Sequence, residues 1–232
     1  MVTNADAKEA VESRGPRTFP VEDIVTGTKG YDRPRQIEHV AAELFFRHGY
    51  QATTLRDIAE AVGMRPASLY HHFPSKEDLL FAVLSRTIDE LIDRAEWSLR
   101  TEATIPAQLR SIVREFIFYV VDRPREGMVS DIEIEHLDEG HRATLVSKRD
   151  RYQRIIEQVI LAGIEQRIFA VDDVKLTAYA ILGMCNHVAI WFKPGGRRTA
   201  ANIAEEYGMS ALRLVGYQPA IPRPELASER AD

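Results

Sequence analysis

The sequence predicts an all-α protein of about nine helices, three in front and six behind. Three observations predict it. Residues 53–76 read as two short helices around a Gly-centred turn, apolar residues recur at three- and four-residue spacing from residue 34 to residue 217, and Pro, Gly and capping residues punctuate that pattern at helix-length intervals.

The first helix runs from Pro34 to about His48, with Ile37, Val40, Ala41, Leu44 and Phe45 as its apolar stripe and Gly49 as its stop. Thr54 starts the second. Its hydroxyl can accept from the backbone N–H three residues on, where Asp57 also places a negative charge in the positive first turn. Leu55, Ile58, Ala59 and Val62 share one face, and Gly63 follows as a left-handed stop. Pro66 opens the third helix, where its missing N–H costs nothing, and Pro74 ends it. Ala67 and Ser68 are small enough to let that helix enter a major groove, Leu69 and Phe73 point back to a core, and Tyr70, His71 and His72 can reach backbone or base edges. Ser75 caps the next helix, which puts Lys76 beside an N-terminus that already favours a phosphate.

An ordinary helical hairpin would share part of this pattern. More of it matches a known family. Ala41-Ala42-Glu43-Leu44-Phe45, Gly49-Tyr50, Thr53-Thr54-Leu55-Arg56-Asp57-Ile58-Ala59, Gly63, Ser68-Leu69-Tyr70-His71-His72-Phe73 and Ser75-Lys76-Glu77 stand in an order and spacing by which the chain resembles the TetR family of bacterial transcriptional regulators. The resemblance covers roughly residues 34–82 and implies a helix-turn-helix DNA reader. The residues expected to contact DNA are Thr53, Thr54, Arg65, Ala67, Ser68, Tyr70, His71, His72 and Lys76. Tyr70 and Lys76 suit phosphates; Arg65, Ala67, Ser68 and His71 suit base edges.

Six further helices follow. One starts at Ser75 and runs to about Leu99, and another follows Pro106 to Asp122 with Leu109, Ile112, Val113, Phe116, Ile117 and Val120 inward. A shorter one spans Pro124 to about Glu135, and a long one spans His141 to about Gln166. Asp172 or Asp173 caps the next, which is apolar nearly all round from Leu176 to Phe192 and is expected to be buried on several sides. The last begins after Thr199 and carries Ile203, Tyr207, Met209, Ala211, Leu212 and Val215. A helix as apolar as 176–192 is either the centre of a bundle or meets a twin helix. The family resemblance implies the latter, a homodimer whose two C-terminal helices pair across a two-fold axis.

Trp191-Phe192-Lys193-Pro194-Gly195-Gly196, followed by Thr199 and the start of the last helix, is similar to a subset of TetR regulators of fatty-acid or steroid breakdown that respond to coenzyme A thioesters. On physical grounds alone the same stretch is a good helix stop, with Pro and Gly just past the end. The resemblance would place Trp191 against an apolar ligand and Lys193 near its phosphates or carboxylate. Position 190 is Ile where some of these regulators carry Arg. Asn186 and His187 interrupt the apolar helix and are expected to need buried partners; Tyr119, Tyr152, Tyr179 and Arg114 are further candidates for polar fixtures of an effector cavity.

Composition limits the alternatives. The chain has 232 residues, 45% hydrophobic and 28% charged, so it can bury a sizeable core. No run approaches the roughly 18 apolar residues of a membrane helix and no export signal opens the sequence, so a cytoplasmic protein without membrane partners is expected. The single cysteine, Cys185, lies in an apolar helix and reads as a buried thiol. The net charge of −5 argues weakly against DNA binding, and residues 31–81 hold six Lys and Arg against seven Asp and Glu. Those acids fall mostly at helix starts or away from the third helix, so placement outweighs the sum. Glu133-x-x-His136 has the spacing of di-iron bundles but needs a second copy that the chain lacks, and with Asp131, Asp138, Glu139 and His141 it reads as a solvated acidic helix end. No nucleophile elbow and no phosphate loop occurs, so neither catalysis, a metal nor a cofactor is expected.

The expected organisation is a flexible arm over residues 1–31, a DNA-binding domain over 32–80, an effector and dimerisation domain over 81–218 and a flexible tail over 219–232. Arg14, Arg17 and Lys29 in the arm can touch the duplex, offset by Glu9, Glu12, Glu22 and Asp23. The expected function is a repressor released from a palindromic DNA operator by a small-molecule effector, for which the resemblance of residues 191–196 implies an acyl-CoA thioester. A helical ligand-binding protein without operator binding, or an activator on the same fold, are the other readings.

Overall fold

The computed structural model describes residues 32–218, so the arm with Arg14, Arg17 and Lys29 and the tail lie outside the described residues. The described residues form nine α-helices: α1 (Arg33–His48), α2 (Leu55–Val62), α3 (Pro66–His72), α4 (Lys76–Thr101), α5 (Ile105–Asp122), α6 (Pro124–Ile132), α7 (Glu139–Glu165), α8 (Val174–Trp191) and α9 (Ala200–Leu214). A single 3-10 turn, Ile134–His136, joins α6 to α7.

Caps decide where these helices start. Asp32, Thr54, Ser75, Thr104, Asp138, Asp173 and Thr199 each precede a helix and accept from the backbone N–H three residues on. Each satisfies a donor that the first turn leaves orphaned. The cap also explains one departure from the sequence reading: Asp138 starts α7 at Glu139, two residues before the expected His141.

The core is continuous from front to back. Ile37, Val40, Ala41 and Phe45 of α1, Ile58 and Ala59 of α2 and Leu69 of α3 meet Leu79, Leu80, Val83 and Leu84 of α4, whose far half joins Leu109, Ile112 and Ile117 of α5. Helix α5 is central, touching α4, α6, α7, α8 and α9, and α9 lies most extensively along it. Their approach is close at Gly208, where a Cβ would come within 2.6 Å of Arg110 Cγ.

Two expectations fail. The helix expected over 124–135 stops at Ile132, because Glu133 leaves the helix at φ −100°, ψ 5° and its carboxylate accepts from the Tyr50 backbone N–H at 3.3 Å. Glu133 and His136 are therefore not a solvated helix end: Glu133 is buried, and the His136 ring stacks on Tyr50 at 4.9 Å. Within one chain helix α8 leaves one face open, the face that the twin-helix alternative would cover. It buries Ala178, Ile181, Cys185 and Val188, while Leu176, Tyr179, Ala180, Gly183, Asn186, His187, Ile190 and Trp191 form an exposed stripe at three- and four-residue spacing.

Candidate nucleic-acid interface and effector region

The two-helix reader is built by a sharp turn. Gly63 adopts φ 70°, ψ 40° and its N–H bonds back to Ala59 and Glu60, which stops α2 in a conformation that costs other residues more. Arg65 is the extended N-cap of α3 and Pro66 its first residue. Leu69, fully buried, and Phe73 pin this short helix to the core. Everything else on it faces out. Arg65, Ala67, Ser68, Tyr70, His71 and His72 are all exposed, Tyr70 to 52%, so six of the residues expected at DNA share one open surface.

The other three sit differently. Thr53 is a correction: it is only 2% exposed and its hydroxyl donates to the Gly49 carbonyl at 2.9 Å, so its side chain braces the α1–α2 loop rather than facing DNA. Thr54 is exposed but committed to a capping box, with its hydroxyl 2.7 Å from Asp57 Oδ2; these bonds hold the Asp57 carboxyl below its usual range. Lys76 Nζ donates to the carbonyls of Tyr50 at 2.9 Å and Gln51 at 3.3 Å and lies 4.2 Å above the Tyr50 ring. Burial pushes this ammonium down, and two of its three donors tie α4 to the α1–α2 loop. Lys76 nevertheless lines an open cleft of about 330 Å³ with Thr53, Thr54, Leu55, Tyr70 and Ser75. The acids beside it are engaged, Glu77 with His141 and Asp78 with Ser75.

The candidate effector residues do not converge on one place. Tyr119 is buried where α5 meets α1, α4 and α6, between the guanidiniums of Arg94 at 5.8 Å and Arg123 at 5.6 Å. Tyr152 is buried against Phe116 at 5.9 Å, beside the buried thiol of Cys185, and burial raises both groups well above their usual ranges. Tyr179, Asn186, His187 and Trp191 stand on the exposed stripe of α8, with Lys193 just beyond. Asn186 and His187 are exposed within one chain, on the face that a twin α8 would cover.

Sequence reasoning also missed a polar seam between α1 and the rear helices. Arg86 holds the buried Glu38, with one bond at 2.9 Å; Arg35 and Arg123 both pair with Glu90; Arg125 pairs with Glu43 at 3.2 Å; and His39 Nδ1 lies 2.7 Å from Glu126. These partners are 33 to 87 positions apart in the chain, so no spacing rule exposes them. No described helix is long and apolar enough to cross a membrane.

Comparison with known proteins places this geometry. Residues 37–83 match the profile described as bacterial regulatory proteins, tetR family, and residues 102–215 match that of the tetracyclin repressor-like C-terminal domain. The transcriptional repressor KstR2 of Rhodococcus jostii RHA1 is 31% identical over 194 residues, covering 82% of this chain and 93% of its own. The chain belongs to the TetR family. It is therefore a DNA-binding transcriptional regulator and not an enzyme. Among solved structures, a tetR-family regulatory protein from Rhodococcus RHA1 superposes with a TM-score of 0.74 at 27% identity, covering 80% of this chain and 98% of that one. AibR, solved in complex with isovaleryl coenzyme A and operator DNA, superposes with a TM-score of 0.70 at 28% identity, covering 81% of this chain and all of that one, 100%.

Proposed function

We propose that this TetR regulator is a cytoplasmic, homodimeric repressor that reads a palindromic operator through α3 and leaves it when a small acyl-CoA-type effector binds the rear helices. The observation that carries the reading is the open surface of α3, where Arg65, Ala67, Ser68, Tyr70, His71 and His72 are exposed together on a helix anchored by Leu69. The boundaries that follow are a reader over residues 32–80 and an effector and dimerisation domain over 81–218. A repressor among its relatives and an AibR complex holding both a coenzyme A thioester and DNA support the two halves of the proposal.

Two contact types are separable at the reader. Lys76 has one ammonium donor left, so Lys76→Ala should weaken binding on every sequence and lower the salt slope by about one. Arg65→Ala should instead cost about 1–3 kcal/mol at a guanine-containing position if the contact is bidentate. Titrating both variants on operator and random duplexes at several salt concentrations tests this. Equal loss for Arg65→Ala on both duplexes contradicts base reading.

For the effector, the support is the similarity of residues 191–196 to regulators that answer to thioesters. Trp191→Ala should leave operator affinity near normal and remove release by acyl-CoA thioesters, because only the effector-bound state uses that contact. If Trp191 were only a packing residue, truncation would lower the melting temperature while the folded fraction still answered to the effector.

A further inference from the structure

Three of the chain's seven histidines stand where the reader meets the rear helices: His39, His136 and His141. Each faces a carboxylate. His39 on α1 meets Glu126 on α6 at 2.7 Å; His136 meets Glu133 at 3.1 Å while stacking on Tyr50 of the α1–α2 loop; His141 on α7 meets Glu77, in the first turn of α4, at 2.8 Å. The His141 ring also stacks on Phe81 of α4 at 4.0 Å and 14°, so both its face and its edge are spent on docking α7 to α4.

The chemistry at His39 depends on its charge. Glu126 is buried, and its second oxygen has no hydrogen-bond partner among the described residues. It borders a small, partly open space of about 20 Å³, room for one water, lined also by Arg35 and Glu38 of α1, Arg86 of α4, Tyr119 of α5 and Arg123 at the α5–α6 corner. Glu43 on its own helix faces His39 as well. Arg86 pairs with Glu38, Arg35 and Arg123 pair with Glu90, and His39 hydrogen-bonds Glu126. A buried carboxylate is costly unless paired with a charge. A neutral imidazole hydrogen-bonds it; an imidazolium neutralises it.

We infer that the docking of the DNA reader onto the effector helices is proton-linked through His39 and His141. The hydrogen bond to Glu126 raises the His39 pKa above its ordinary 6.5, and the bond to Glu77 does the same for His141, with Asp138 and Asp78 adding in the same direction. A raised pKa in the docked state means that docking binds protons. Its contribution is full below the ordinary imidazole pKa and is lost as pH rises through the raised one. Since the reader is positioned through this seam, operator affinity carries the same dependence.

Hydrogen exchange of α1 and α6 amides in the full chain, corrected for intrinsic exchange and taken from pH 6 to 8.5, reads the seam directly. Opening should become several-fold more frequent as pH rises in the native chain and stay flat in H39Q/H141Q, which keeps a hydrogen-bond donor at each site. Glu126→Gln, with His39 intact, should flatten the α6 profile too. Parallel profiles in native and variant chains overturn the linkage. A second arm measures affinity for one duplex at fixed ionic strength; the double variant leaves the reader surface of α3 unchanged, so any pH dependence of that surface cancels in the ratio. The native-to-variant ratio should change several-fold between pH 6 and 8, and a constant ratio overturns the link to DNA reading.

Discussion

Replacing Ile190 by Glu should convert the protein into a monomer and abolish operator binding. Within one chain Leu176 is 65% exposed, Tyr179 51%, Ile190 58% and Trp191 39%, and they fall in one line along α8. Such an apolar stripe is stable only when covered. If a twin α8 covers it across a two-fold axis, one substitution places two carboxylates in the same buried interface, and an unpaired buried charge costs about 3–5 kcal/mol. Dimer dissociation should therefore strengthen by two orders of magnitude or more, on the order of 1.4 kcal/mol per factor of ten. Sedimentation velocity and operator titration check both parts. An intact dimer would show that the stripe serves another purpose.

Leu69→Ala should have the second large effect. It is the only residue of α3 buried within the chain, and a helix of seven residues has too few hydrogen bonds to hold itself. Removing its side chain should cost about 2–5 kcal/mol by lost burial and cavity formation. Leu69→Met, which conserves volume, should cost less than about 1.5 kcal/mol. Denaturant melts give these values. Effector binding measured below the melting transition should be far less affected than DNA affinity, because α3 packs chiefly against α2, within the reader.

The front of the molecule was legible because its determinants are local. Thr54 with Asp57, Gly63, Pro66 and Ser75 each act within four residues, so spacing alone placed α2, α3 and the start of α4. Charge balance was a weaker guide. Four of the seven acids counted against DNA binding are spent: Asp57 on its cap, Glu38 on Arg86, Glu43 on Arg125 and Glu77 on His141. What spacing could not supply was partners distant in the chain. Thr53 looked like a neighbour of the reader surface, yet the loop turns its hydroxyl inward to the carbonyls of Gly49 and, nine positions back, Leu44. Helix α8 shows the same limit in another form, since hydrophobicity states that a face will be covered but not whether the cover comes from the same chain. Asn186 and His187 show it, both exposed within one chain although they interrupt an apolar helix.

The central claim is that two copies of α3 read a palindrome together. Selection of binding duplexes from a random pool by the full-length protein, followed by measurement of the protein-to-duplex stoichiometry, tests it most directly. The account predicts an inverted repeat whose half-sites lie about one helical turn apart, roughly 34–36 Å, bound by an even number of chains and released by the effector. An asymmetric site bound by one chain, or no enrichment over the starting pool, would contradict it.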